Sequence, residues 1–167
     1  MHVVVVFETL WGNTEQVARE IAAGIGADRT DVVDAVSAPA ELGADVDLLV
    51  VGGPTHAFSM STASTREAAR QQGAVHIPSR GIREWIEAHS SAERAVLVAT
   101  FDTRVTTPRL PGSAAKKAMK RLVALGFRPS AKPETFGVHG YSGPVTAGEL
   151  ERARRWGEEL AAKIPTT

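Results

Sequence analysis

The stretch that decides the fold runs from residue 2 to residue 20 and reads HVVVVFE, TLWGNT, EQVARE. Its first part is a continuous β-branched run, which is typical of a strand buried on both faces of a parallel sheet. From its last part onward, Val17, Ile21 and Ile25 recur every four residues, as on the apolar stripe of an amphipathic helix. The stretch therefore predicts a buried strand, a short loop and a helix.

The loop between that strand and helix, residues 9–14, contains hydroxyl, amide and glycine residues. It brings backbone N–H groups and the hydroxyls of Thr9 and Thr14 to a helix N-terminus. Unpaired donors and the positive end of the helix dipole meet there, so the loop can hold a phosphate without lysine or arginine. Asn13 and Gln16 also fit a capping box. The alternative interpretation is an ordinary strand-to-helix turn with good caps.

The motif of this loop separates it from two other nucleotide-binding loops. It is neither G-x-x-x-x-G-K-[ST] nor G-x-G-x-x-G, which argues against a nucleoside-triphosphate P-loop and a dinucleotide fingerprint. The loop resembles the phosphate loop of flavodoxins, [ST]-x-[ST]-G-[NT]-[TS], although Trp11 stands where that family usually has a hydroxyl residue. The resemblance implies an FMN cofactor whose phosphate is held by Thr9, Leu10, Trp11, Gly12, Asn13 and Thr14.

Length and composition limit the class of protein. We expect a single domain over residues 1–167, with 19 Lys plus Arg balanced by 19 Asp plus Glu. That balance and the lack of a basic run argue against a nucleic-acid partner. There are no cysteines, and the five histidines show no metal-ligand spacing, so we expect no metal site. The opening apolar run is too short to span a bilayer, so we expect a cytoplasmic protein with no membrane partner.

Further along the chain, apolar runs and helical periodicities alternate, which predicts an α/β fold with a parallel sheet and helices on both faces. Five strands fit a flavodoxin-like doubly wound sheet of order 2-1-3-4-5. Ligands bind such sheets at the carboxyl ends of the strands. We therefore expect the loops 9–14, 52–61 and 100–109 to converge. After the first unit, the predicted strands are 31–35, 46–51, 94–100 and 129–139, and the predicted helices are 39–43, 62–72, 82–89, 113–125 and 146–164.

The same resemblance assigns roles to the second and third loops. It implies that Pro54, Thr55, His56, Ala57 and Phe58 border the flavin ring, with the 55–57 backbone approaching flavin N5. It also implies contacts from Thr100, Phe101, Asp102, Thr103 and Arg104.

Among these residues Phe101 is the candidate for stacking on the ring, although a residue that follows a buried strand could instead be core. His56 could equally bond a carbonyl, and Phe58 could be a lone exposed aromatic. Trp11 could cover the ring, pack on the second loop or face solvent. Arg104 and Arg109 could be solvated charges.

The sequence departs from the flavodoxins in two ways. Electron carriers of that family are usually strongly acidic, whereas this chain is neutral, and it lacks the Trp and Tyr pair that commonly sandwiches the ring. We expect a monomeric FMN-binding electron-transfer protein without a catalytic side chain, whose partner is a redox protein or a small-molecule electron acceptor.

Two other functions remain open. One is a quinone- or porphyrinogen-type oxidoreductase that meets an anionic substrate with Arg104 and Arg109. The other is an interaction module that has lost the cofactor. A phosphoacceptor domain is disfavoured, because Gly52-Gly53-Pro54 stands where its aspartate would be.

Overall fold

Strands and helices alternate along the chain in a computed structural model that describes residues 1–165. Residues 166 and 167 of the predicted domain lie outside the described part. The strands are β1 (His2–Phe7), β2 (Arg29–Asp34), β3 (Leu48–His56), β4 (Ser59–Met60), β5 (Leu97–Val105), β6 (Arg128–Pro129) and β7 (Glu134–Val138). The helices are α1 (Asn13–Ile25), α2 (Ala63–Gln71), α3 (Ile82–Ala88), α4 (Ala114–Ala124) and α5 (Glu149–Ala161).

The sheet is parallel in the order β2-β1-β3-β5, with β6 and β7 both beside β5 and the short β4 antiparallel to β3. The predicted α/β doubly wound fold is confirmed. The observed sheet differs from the predicted five-strand order in having the extra strand β4 and in having its fifth strand divided into β6 and β7. Residues 130–133 stand opposite only residues 99 and 100 of β5, so the ladder breaks between β6 and β7.

Helices cover both faces of this sheet because successive strand residues point to opposite sides. Val4 and Val6 of β1 pack in one core cluster, which holds Leu122 of α4 and Trp85 of α3. The intervening β1 residues, such as Val5, pack in the other cluster with residues of α1 and α5. The β-branched run at the start of the chain is therefore buried on both sides, as predicted.

Helices α1 and α5 approach each other backbone to backbone. A Cβ at Gly24 would lie 1.9 Å from the carbonyl oxygen of Arg154, and one at Gly157 would lie 2.2 Å from the carbonyl oxygen of Ile21. Only glycine permits such contact. The two helices are also joined by an ion pair between Arg154 Nε and Glu20 Oε2 at 2.8 Å.

The helix predicted at residues 39–43 does not form. Side chains from another part of the chain bind the backbone carbonyls around it. Arg80 Nε donates to the carbonyl of Ala35 at 2.9 Å, and Trp85 Nε1 donates to that of Pro39 at 2.9 Å. Because these carbonyls are satisfied by side chains, the segment has no need of a helical hydrogen-bond ladder.

Helix starts also differ from prediction. Gly12 (φ 93°) and Gly148 (φ 83°) precede α1 and α5 in the left-handed conformation, and neither helix has a side-chain cap. Asn13 Nδ2 instead donates to the carbonyl of Ser142 at 3.1 Å, and Glu149 accepts from a backbone N–H of β7. The predicted capping box Asn13–Gln16 is wrong, whereas the predicted start of α4 at Ser113 is confirmed by its bond from the Lys116 N–H.

The two central strands run further than predicted. β3 continues past Val51 to His56, and β5 continues past Thr100 to Val105, because residues 52–54 pair with residues 101–103 and β7 pairs with residues 101–105. The second and third loops therefore begin nearer the edge of the sheet. Within residues 1–165, no helix is long and apolar enough to cross a membrane, and no group of three or more His, Asp or Glu side chains could hold a metal ion.

Candidate functional site

A cleft of about 290 Å³ opens at the carboxyl edge of the sheet, where the three predicted loops converge with a fourth segment. Predicted residues make up most of its lining: Thr9, Leu10, Trp11, Asn13, Thr14, Pro54, Thr55, His56, Ala57, Phe58, Thr103 and Arg104. Residues not predicted complete it: Val105, Leu110, Pro111, Val138, Gly140 and Tyr141. Gly12, Thr100, Phe101 and Asp102 were predicted as site residues but do not line the cleft.

The first loop forms a cradle of backbone donors. The hydroxyl of Thr9 accepts the N–H of Gly12 at 2.9 Å, which fixes the left-handed turn into α1. The first helical bond runs from the Gln16 N–H to the Gly12 carbonyl at 3.2 Å. The amides of residues 13–15 therefore precede the helical ladder and have no carbonyl partner in it. Such amides, at the positive end of α1, suit an anion.

Two threonines join this loop to β5. The hydroxyls of Thr14 and Thr103 are 2.7 Å apart, and both residues are buried while lining the cleft. One hydroxyl donates to the other, which leaves the second proton available to a ligand. The predicted role of the Thr14 hydroxyl toward a phosphate is therefore compatible with its position, but the hydroxyl also has a structural partner.

The turn between β3 and β4 is strained. Ala57 and Phe58 have φ values of 46° and 68°, although neither is glycine. Such residues cost about 1–3 kcal/mol each and persist where the surroundings hold them. Gly112 packs directly against this turn, since a Cβ there would lie 2.2 Å from the Phe58 carbonyl oxygen. The Phe58 ring remains 53% exposed at the mouth of the cleft.

The stacking role predicted for Phe101 is wrong. Its ring is fully buried and meets the rings of Phe136 and Trp156 edge-on, at centroid distances of 6.1 and 6.5 Å. It also lies against Gly52, where a Cβ would be 2.0 Å from the ring. Phe101 is a core residue because β5 continues through it.

The neighbours of Phe101 build the wall behind the cleft. Thr100 donates its hydroxyl to the Ala115 carbonyl at 2.8 Å. Asp102 Oδ2 accepts from the hydroxyls of Ser113 at 2.5 Å and Thr55 at 3.0 Å, and from the Ala115 N–H at 3.1 Å. These contacts anchor the start of α4 to β3 and β5. The predicted direct cofactor contacts of Thr100 and Asp102 are replaced by this supporting role.

The charge at the cleft is positive. Among residues 1–165, the lining contains no Asp or Glu and one residue with a formal charge, Arg104. One of its terminal nitrogens donates to the Gly112 carbonyl, whereas its buried Nε meets no hydrogen-bond partner within residues 1–165. Burial, with a smaller contribution from Arg66, lowers the pKa of His56 and so favours its neutral ring. The lining therefore favours an anionic ligand.

Sequence reasoning missed the fourth segment, residues 138–141. Tyr141 lies 69% exposed, and its ring stacks on that of Trp11 with a centroid distance of 6.4 Å and an interplanar angle of 28°. We did not expect Trp11 and Tyr141 to meet at the cleft, and here the two rings stack on each other. The signal was available, because residues 140–144 read GYSGP directly after the last strand and so fall at the same edge of the sheet.

A buried polar cluster below the first loop was also missed. Glu8 accepts from the Ile82 N–H at 2.9 Å and from the hydroxyl of Ser61. Arg66 Nη1 donates to the same hydroxyl at 2.9 Å and its other terminal nitrogen pairs with Glu84. Burial raises the pKa of Glu8, opposed by these hydrogen bonds. The cluster ties the end of β1 to β4 and to α2 and α3.

Comparison with solved structures assigns this architecture. No protein-family model matches the chain, and no curated protein does. The oxidised flavodoxin 1 from Bacillus cereus superposes with a TM-score of 0.73 at 17% identity, covering 99% of this chain and 100% of that one. A flavodoxin from the domain Archaea gives a TM-score of 0.67 at 19% identity, covering 98% of each chain. Two-electron reduced Megasphaera elsdenii flavodoxin gives 0.61 at 19% identity, covering 96% and 98%. The chain therefore has the flavodoxin-like fold.

Proposed function

We propose that this protein binds one FMN noncovalently in the cleft and serves in electron transfer. The observation that carries the proposal is that one cleft joins an anion cradle at residues 9–14 to the half-buried ring of Trp11 and the exposed residues Phe58 and Tyr141. The flavodoxin-like fold and the resemblance of the loop to the flavodoxin phosphate loop support the same assignment. When bound, FMN would supply the one- and two-electron chemistry.

The residues of the cleft fit the two ends of FMN. The amides of residues 13–15 would hold the phosphate, together with whichever proton of the Thr14 and Thr103 hydroxyls is free. A Cβ at Gly12 would meet nothing within 4 Å, so the space beside the loop is open. Flat aromatic side chains at the other end would hold a planar ring by stacking and exclude water from it.

The other lining residues would orient the ring rather than react with it. The turn at Ala57 and Phe58 presents backbone groups in one fixed direction, since Gly112 packs against it. Arg104 would bring a positive charge to the lining beside the ring. On this proposal no side chain acts as a catalytic acid or base.

Titration of the apoprotein with FMN tests the proposal. We expect quenching of flavin fluorescence with a one-to-one end point, and much weaker binding of riboflavin, which lacks the phosphate. Phe58, an aromatic residue of the lining outside the first loop, offers a comparison: Phe58→Ala should weaken riboflavin and FMN alike, whereas Gly12→Ala should weaken FMN selectively. No quenching at micromolar concentrations of protein and FMN would contradict the proposal.

A second candidate function is reduction of a small anionic substrate at the same cleft. It is favoured by one observation, the presence of the positively charged residue Arg104 in the lining of the cleft. Steady turnover of a quinone with no protein partner, lost in Arg104→Gln, would support it. An interaction module without cofactor is the outcome if the protein stays colourless with added FMN.

The setting of the protein is likewise a proposal. We propose a monomer in the cytoplasm that exchanges electrons with a redox protein or a small-molecule acceptor, without nucleic-acid or membrane partners. The absence of cysteines is compatible with a reduced compartment. Sedimentation of the FMN-loaded protein would test the monomer.

A further inference from the structure

Charge is distributed unevenly along this neutral chain. Between Asp102 and Glu134 there are eight basic residues and no acidic one, although the whole chain has 19 of each sign. The remainder of the chain is therefore acidic overall. The basic segment covers the end of β5, the loop after it, and α4 and β6. The molecule thus has one basic region, which its net charge conceals.

The lysines of α4 point away from the core. Ala115, Ala118 and Leu122 are among the residues that α4 buries, whereas Lys116, Lys117 and Lys120 are exposed on its outer side. Within residues 1–165, none of these three lysines forms an ion pair. The next basic residue, Arg121, is paired with Glu87 at 2.5 Å. The unbalanced charge therefore lies toward the start of α4, near the cleft.

Helix stability does not account for the first two lysines. Lys116 and Lys117 lie in the first turns of α4, which has no acidic residue there. The N-terminus of a helix is the positive end of its dipole, so cations at this place are unfavourable. A positive charge kept against that cost, and without an acidic partner, suggests a role outside the fold.

The basic residues adjoin exposed apolar side chains at the mouth of the cleft. Phe58 is 53% and Leu110 50% exposed, and both line the cleft. Gly112 packs on Phe58 two residues before α4 begins, and Arg109 is exposed in the same loop. We name the set Arg109, Lys116, Lys117, Lys120, Phe58 and Leu110 the basic face. Arg104 is not part of it, because its guanidinium donates to the Gly112 carbonyl.

We propose that the basic face docks an acidic redox protein over the mouth of the cleft. An apolar centre bordered by charge is the usual make-up of a transient interface, and complementary charge mainly raises the association rate. A partner seated on Phe58 and Leu110 would lie beside the bound cofactor, so this inference rests on the proposed FMN site. A nucleic acid would also meet the lysines, but it would gain nothing from the two apolar side chains.

The test uses reduced [2Fe–2S] ferredoxin of strongly negative charge as the probe. Its reaction with the FMN-loaded protein is followed by stopped flow at low and high ionic strength. The variant is Lys116→Glu with Lys117→Glu, and the control is Arg155→Glu with Lys163→Glu, which changes the net charge equally on exposed positions of the α5 side.

We expect the wild-type rate to fall as salt rises and the lysine variant to be about tenfold slower or more at low salt. The two proteins should converge at high salt, and the control should stay near wild type. FMN titration should be unchanged in both variants. Equal rates for the lysine variant and the control, or a wild-type rate that rises with salt, would overturn the proposal.

Failure of the proposed function is distinguished by a second measurement. Binding of oxidised ferredoxin to the protein is measured by calorimetry, which needs no electron transfer. If FMN does not bind, a salt-sensitive association that the lysine variant loses still supports docking, and its absence overturns docking. A random DNA duplex that displaces the ferredoxin at physiological salt would also overturn it, in favour of a nucleic-acid surface.

Discussion

The floor of the cleft and its mouth are built differently. On the floor, Asp102, Thr103 and Thr14 are buried. Asp102 Oδ2 and the two threonine hydroxyls are engaged by partners from α1, β3, β5 and the start of α4, whereas Asp102 Oδ1 has no hydrogen-bond partner within residues 1–165. At the mouth, Phe58 and Tyr141 lie more than half exposed. The floor therefore has its shape from internal hydrogen bonds before any ligand arrives, whereas the mouth has surface that a ligand or partner would cover. Changes on the floor should affect folding, and changes at the mouth should affect binding alone.

Asp102→Ala should have the largest effect, because it removes three hydrogen bonds to one carboxylate oxygen and leaves the donors of Ser113 and Ala115 buried without that partner. Hydrogen bonds to charged groups are worth about 1.5–3 kcal/mol each, so we expect a loss of at least 3 kcal/mol in the free energy of unfolding. Urea denaturation checks this. Thr100→Val, which removes one neutral bond on the same strand, is the control and should cost less. A loss below about 1 kcal/mol in the free energy of unfolding for Asp102→Ala would contradict the inference that these hydrogen bonds hold the floor in shape.

Thr14→Val should follow, because it leaves the buried Thr103 hydroxyl without its partner at 2.7 Å. We expect a stability loss of about 1–3 kcal/mol and, with the phosphate contact gone, an FMN affinity lower by about tenfold. Thr103→Val is the matched variant. In the double variant the stability losses should be less than additive, since both polar groups are then absent. Strict additivity would show that the two hydroxyls do not depend on each other.

Glu8→Gln tests the buried polar cluster below the floor, because it should change how the stability of the protein depends on pH. Burial raises the pKa of Glu8 in the folded protein above its pKa in the unfolded chain. The stability that Glu8 contributes is therefore fully present at pH values below the unfolded-state pKa, and it is lost as the pH rises through the folded-state pKa. Thermal melts of wild type and variant between pH 4 and pH 8 should show the wild type losing stability relative to Glu8→Gln as pH increases. A constant difference across that range would mean that Glu8 titrates normally.

Tyr141→Ala should have the smallest effect on the stability of the fold, and its main effect should be on FMN binding. The ring is exposed and touches mainly Trp11, so the free energy of unfolding should stay within about 0.5 kcal/mol of wild type. FMN affinity should fall several-fold, which corresponds to a stacking contribution of about 0.5–1.5 kcal/mol. Tyr141→Phe should retain it. An unfolding loss comparable with Thr14→Val would erase the distinction between mouth and floor.

The parts of the site that the sequence predicted are those whose geometry is local. Residues 9–14 follow a strand and open a helix, so their backbone donors were predictable from neighbours in the chain. The predicted end of β5 came too early in the chain, because Thr100, Asp102 and Thr103 interrupt the apolar run of the strand. Their polar atoms are satisfied by partners such as Thr14, 89 positions away, and Thr55, 47 positions away. No local pattern shows such pairing.

Tyr141 was missed for a related reason. Its position depends on where β7 pairs along β5, and the four residues between β6 and β7 shift that pairing. The burial of Phe101 follows from the same register. The mouth of the cleft is therefore set by long-range strand pairing, and the sequence alone could give only the edge of the sheet at which it lies.

The contact between α1 and α5 has a consequence for how the protein is synthesised. Helix α1 carries the first loop, but Glu20 on α1 meets its ion-pair partner 134 positions later, and the glycine-to-backbone contact spans a similar separation. A ribosome makes the anion cradle before the helix that packs behind it. On the proposed function, we expect nascent chains arrested before residue 149 to show no FMN-dependent protection from protease, because α5 has not yet been made.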